Sequence, residues 1–134
     1  MLGLWTHPPD YCAEIDQITA AFGDLIAQMP TVLMGDFNAG PKLGESYIKG
    51  GAVFGRLAEH GLVSAYHAHH GLGHGHEQHG TYFHRFQADE PWHIDYCFLS
   101  ASLLTKVTKV DVAADERWAK RSDHRPVSVT LTVC

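Results

Sequence analysis

Cysteine is scarce in this chain of 134 residues, basic residues do not exceed acidic ones, and no apolar run is long. Each shortage excludes something. Cys12, Cys97 and Cys134 are odd in number and far apart, with no C-x-x-C pair. A disulfide scaffold is excluded, and the three read as small buried or terminal thiols in a reducing compartment. No run of apolar residues is long enough for a bilayer-spanning helix. The amino terminus lacks the basic region of a signal peptide, and Trp5-Thr6-His7-Pro8-Pro9 interrupts its only apolar start. A cytoplasmic location is expected, unless a leader precedes Met1. The net charge is −5 with histidine neutral, which argues against binding nucleic acid mainly through counterion release. Protonation of several of the 11 histidines would move that balance at mildly acidic pH.

What remains is an ordinary globular composition, 45% hydrophobic, without repeat, linker or charge run. One domain, 1–134, with a core of its own is expected. Residues 2–6 read as a short strand broken by Pro8-Pro9. From Asp10 to Met29, the residues Ile15, Ile18, Phe22, Leu25, Ile26 and Met29 recur at helical spacing, and Pro30 ends the helix. Thr31–Met34 then reads as a buried strand, completing a β-α-β unit with parallel strands. A short helix is expected over 52–60, closed by Gly61, and an extended segment over 62–66. The His- and Gly-rich stretch 67–80 reads as a loop. Strands are expected over Thr81–Phe86, Trp92–Leu99, Lys106–Val112 and Pro126–Val133.

Three segments carry chemistry. Gly35-Asp36-Phe37-Asn38 follows the first buried strand, His93-Ile94-Asp95-Tyr96 opens another, and Arg121-Ser122-Asp123-His124-Arg125-Pro126 precedes the last. Carboxylates, an amide and an imidazole at strand edges can be aimed at one point by a rigid sheet. That inventory suits attack of water on a phosphate ester. Asp36 would orient or deprotonate the water, and Asn38 would donate to a phosphoryl oxygen. The plainer alternative is an Asp/Asn turn bonding its own backbone. Asp123 and His124 are neighbours, so both reach one site only if the chain turns there, as Pro126 favours. Asp95, in an apolar run, needs a partner.

Together the segments resemble the endonuclease/exonuclease/phosphatase superfamily, whose signatures are a GDFN loop, an I-D-Y strand and a final S-D-H-x-P. The resemblance runs from about Leu4 to Val133 and matches the carboxyl-terminal half of a family member. It implies a DNase I-like fold, a four-layer α/β sandwich of which this chain supplies one half: a mixed β-sheet with helices on one face. It implies Asp123 as a ligand of Mg²⁺ or Mn²⁺, His124 on the scissile phosphate, and Asp95 fixing the tautomer of His124. It also places a phosphate-contacting histidine at the end of the first strand, where His7 stands. The family's metal-binding Glu has no counterpart here. Three explanations stay open for the missing half: a shortened gene product, a homodimer through the bare sheet face, or a partner chain. That face is expected to carry Leu33, Ile94, Tyr96, Phe98, Val127, Val129 and Leu131, or the alternate set.

The expected activity is hydrolysis of phosphate esters, with nucleic acid or a small phosphoester as substrate. A competing reading is a non-catalytic half-domain, or a module binding metal through its seven histidines from His67 to His84. A loop over the substrate face is favoured over such a metal site. Tyr82 and Trp92 read as core residues or as a stacking surface.

Overall fold

A computed structural model of the chain describes residues 11–40, 45–86, 89 and 91–132. His7 and the expected first strand lie outside them, as does the parallel pairing expected there. The elements are α1 (Tyr11–Gln28), β1 (Val32–Asp36), α2 (Glu45–Glu59), β2 (Leu62–Ser64), α3 (Ala65–His70), β3 (Asp95–Ser100), α4 (Ala101–Leu104), β4 (Val107–Val112), α5 (Glu116–Ala119) and β5 (Val127–Leu131). Every strand pairing among the described residues is antiparallel. Strand β3 is central, with β1 on one side and β2 on the other, and β4 pairs with β5.

Helix α1 forms where its periodicity predicts, but its buried stripe is not the large apolar set. Cys12, Thr19 and Gly23 are buried and Ile15 and Ile26 pack beside them, whereas Phe22, Leu25 and Met29 are exposed. The reason is a close approach. A Cβ on Gly23 would lie 2.8 Å from the His60 ring, so small residues let the end of α2 settle against α1. Arg56 of α2 pairs with Asp16 of α1 across the same contact.

The two faces of the sheet differ. Successive strand residues alternate sides. Leu33, Tyr96 and Phe98 point toward the helices and join Phe37, Phe54 and Leu57 in one core. The other face carries Val32, Met34 and Asp36, aligned with Leu99, Cys97 and Asp95. A half-sandwich is expected to leave this face bare, yet part of it is covered. Cys97 and Leu99 are buried in a second cluster with Ala65, Tyr66 and Val110, to which Val129 and Leu131 add. Its open part is a strip: Met34 is 65% exposed, Val32 48% and Val63 38%.

Three further expectations change. The stretch 67–80 is not all loop, because α3 carries His67 and His70. Residues 81–86 are not a strand. Tyr82 makes isolated bridges to Trp92 and His124, and His84–Phe86 forms a 3-10 turn with positive φ at Arg85 and Phe86. The strand expected over 92–99 begins at Asp95.

Candidate functional site

Antiparallel pairing of β1 and β3 sets Asp36 directly opposite Asp95, on one face at one end of the sheet. Such opposed residues have Cβ atoms about 5 Å apart. The third segment arrives from the side: His124 bridges to Tyr82, the Arg125 N–H donates to the Thr81 carbonyl at 2.7 Å, and the Phe83 N–H donates to the Asp123 carbonyl at 2.7 Å. This docking turns the chain before β5 and puts His124 Nδ1 3.0 and 3.2 Å from the two Asp95 oxygens. Neither group is sealed; the side chains are 34% and 20% exposed. Burial pushes the Asp95 carboxyl above its ordinary range, with the facing Asp36 charge adding to this, while hydrogen bonds from Thr81 and His124 oppose it.

Thr81 and Ser122 are positioning groups the sequence reading missed. Thr81 is fully buried, and its hydroxyl accepts from the Ile94 and Asp95 N–H groups at 3.0 Å. The Ser122 hydroxyl accepts from the His124 N–H at 3.0 Å. Hydroxyls that bond nearby backbone are common turn devices, so sequence alone gives them no distinguishing mark.

The GDFN loop adopts the plainer arrangement. Asp36 accepts from the Asn38 N–H at 2.8 Å and from the Asn38 side-chain amide at 3.0 Å, with Asn38 at a φ of 46°. An Asx turn of this kind stabilises the left-handed residue. It leaves one amide N–H of Asn38 uncommitted. Gly40 anchors the loop, since a Cβ there would stand 2.8 Å from the His93 carbonyl. Asp95 and His124 line a cleft of about 270 Å³ with Met34, Gly35, Trp118 and Arg125. Asp36 and Asn38 line an adjoining cleft that shares Met34 and Gly35. Asp123 is half-buried and lines neither.

Beside His124 lies an aromatic shelf. The Tyr82 ring is 4.6 Å from that of His124 and 5.7 Å from that of Trp92, and His84 stacks on Trp92 at 5.9 Å. Tyr82 and Trp92 are half-buried, neither full core nor free surface.

A second constellation sits on the opposite face of β3, with Tyr96 and Phe98. His67 Nε2 is 3.0 Å from Glu77 Oε1, and both side chains are nearly sealed, at 7% and 6% exposure. The His67 and His74 rings are 3.8 Å apart, and His74 stacks on Phe54 at 4.4 Å. Burial and the neighbouring His67 bring His74 down to about 4. Burial alone would raise Glu77, yet hydrogen bonds from His67 and the Gly75 N–H outweigh it and hold the carboxyl at about 2.

A mixed α/β fold with antiparallel sheets, carrying a carboxylate–imidazole pair and a second carboxylate at one sheet end, is DNase I-like. The chain belongs to the Endonuclease/Exonuclease/phosphatase family, whose model matches residues 4–124. Among solved structures it is similar to a variant of the 3′ phosphatase NExo from Neisseria bound to a product DNA hairpin, with TM-score 0.66 and 21% identity. The match covers 88% of this chain and 53% of that one, so this chain spans about half the length of that relative. No curated protein matches the sequence.

Proposed function

We infer that this chain is a single domain, residues 1–134, forming the carboxyl-terminal half of a metal-dependent hydrolase of phosphate esters. The observation carrying this reading is the Asp95–His124 pair, 3.0 Å apart in an open cleft, with Asp36 opposite Asp95. Asp95 holds the His124 Nδ1–H, which fixes the tautomer and leaves Nε2 for a phosphoryl oxygen or a transferring proton. Asp36 orients or deprotonates the attacking water, and Asn38 donates its uncommitted N–H to the phosphoryl oxygen. His7 is assigned the phosphate contact by family resemblance alone.

The donors present do not by themselves fit Mg²⁺ or Mn²⁺. Among the described residues, the one group of three His, Cys, Asp or Glu side chains close enough for an ion lies elsewhere, around His67. Asp123 would contribute one oxygen, and a hard ion needs several. The remaining oxygens are assigned to an amino-terminal half. The strip of Val32, Met34 and Val63 is where that half would pack; a homodimer through the strip is the alternative assembly.

The NExo structure holds a DNA product, so a nucleic-acid 3′ phosphate is the first substrate to test. The shelf of Tyr82, His84 and Trp92 beside His124 suits stacking on a base, a contact that tolerates an acidic protein better than phosphate binding does. The experiment joins this chain to the amino-terminal half of a family member. Mg²⁺-dependent hydrolysis of bis-p-nitrophenyl phosphate and of a 3′-phosphorylated DNA hairpin is then measured. Little turnover is expected from the chain alone and clear turnover from the joined protein. Strong turnover by the chain alone would overturn the half-domain assignment.

A further inference from the structure

His67, His74, Glu77 and His93 form a cluster that the phosphoester reading does not use. We propose that His67, His74 and Glu77 bind one divalent transition-metal ion, Zn²⁺ in the first place, with His93 as a neighbour just outside that set. One ligand atom from each of the first three lies within 4.8 Å of the others. A tetrahedral zinc site places its donors about 2.0–2.2 Å from the ion, so a modest contraction closes the set. Two imidazoles and a carboxylate select a borderline ion over Mg²⁺ or Ca²⁺.

Two independent observations point to a missing ligand. Among the described residues, His74 Nδ1 and His93 Nε2 are both buried without a hydrogen-bond partner. His93 is 6% exposed, and its Nδ1 donates to the His79 carbonyl at 2.8 Å. That bond fixes the tautomer and leaves Nε2 as a naked lone pair in the interior, the form in which imidazole binds metal. A buried nitrogen without a partner costs free energy, and an ion held by His74 would relieve part of that cost. The His93 ring is 5.8 Å from that of His67.

The outer contacts are built as well. His67 Nδ1 is 2.8 Å from the Ser64 hydroxyl, and Glu77 Oε1 also accepts from the Gly75 N–H at 2.8 Å. Partners of this kind orient metal ligands. The ion would tie the Gly-rich segment 71–80 to α3 and to the start of β3. Its role is structural, because the cluster is sealed and lies across the sheet from Asp95.

The test uses the whole chain, stripped with chelator and titrated with Co²⁺ and Zn²⁺. One equivalent of Co²⁺ should produce visible bands of tetrahedral coordination, and Zn²⁺ should displace it and raise the melting temperature. Glu77→Gln and, separately, His74→Gln should weaken binding by more than the ~10-fold that even an outer-shell change costs. His69→Gln, on the exposed side of α3, should leave binding unchanged and serves as the folded control. If both cluster variants fail to fold, the ring resonances of His74 and His93 in the wild-type chain, followed by nuclear magnetic resonance as Zn²⁺ is added, decide instead and should shift together at one equivalent. Absence of tetrahedral bands, binding unchanged in the cluster variants, or ring resonances that do not move would overturn the proposal.

Discussion

Among the described residues stand two histidine–carboxylate pairs with the same 3.0 Å separation and opposite surroundings. Asp95–His124 stands at the open end of the sheet. His67–Glu77 is sealed behind it, among Phe54 and Tyr96. Distance therefore does not distinguish the two pairs; access does. An open imidazole can exchange a proton with a substrate, whereas a sealed one can only hold its neighbours. The open pair also rests on a carboxylate that burial makes harder to ionise. The sealed pair satisfies its carboxylate twice over, from His67 and the Gly75 N–H.

The comparison predicts opposite consequences for equivalent substitutions. In the joined two-half enzyme, Asp95→Asn should lower turnover by about 10⁴-fold, as loss of tautomer control does in a catalytic triad. Because the folded-state pKa of Asp95 is raised, its ionisation opposes folding above that pKa, and the opposition is relieved as pH falls through it. The melting temperature of Asp95→Asn at pH 7 should therefore be no lower than wild type. For the same reason, the acid limb of kcat/KM should lie above the ordinary carboxylate range and vanish in the variant. A clearly lower melting temperature would assign Asp95 to the fold.

Glu77→Ala should do the reverse. Breaking a sealed pair costs about 3–5 kcal/mol, read from denaturant unfolding of the metal-free chain, with turnover per folded molecule little changed. Unfolding within about 0.5 kcal/mol of wild type, the range of ordinary surface changes, would place Glu77 outside any sealed pair.

A smaller effect concerns substrate choice. Trp92→Ala should raise KM for a DNA hairpin about tenfold, since stacking on one base contributes about 1–3 kcal/mol. KM for bis-p-nitrophenyl phosphate should not move. Equal effects on both substrates would return Trp92 to the core. The smallest expected signal is that of the thiols: Cys12 and Cys97 are buried, and burial raises the Cys97 thiol, so both should react slowly with a thiol reagent until the chain unfolds.

The open pair was legible in the sequence and the sealed one was not. The GDFN, HIDY and SDHRP segments are short and tied to apolar runs, and they mark β1, β3 and β5. His67 and Glu77 sit where glycine and histidine outnumber every periodic residue, so the pattern reads as loop. Yet Ala65 and Tyr66 bury α3, and Gly71 caps it in the left-handed conformation. The strand expected over 81–86 fails because Arg85 and Phe86 take positive φ, outside the extended region. Helical spacing marks α1 but not its buried side: Gly23, against His60, decides which side meets the end of α2, and Phe22 and Leu25 stay exposed. Adjacent Asp123 and His124 read as reaching one site, but Asp123 lines neither cleft around Asp95 and Asp36.

The most direct measurement is the rate of phosphate release by the joined enzyme carrying His124→Ala, taken with its melting curve. The account predicts a fall of about 10²–10⁴-fold, the usual contribution of a positioned acid–base group, with the melt unchanged. A rate within a few-fold of wild type, or a loss of rate explained by a loss of fold, would contradict it.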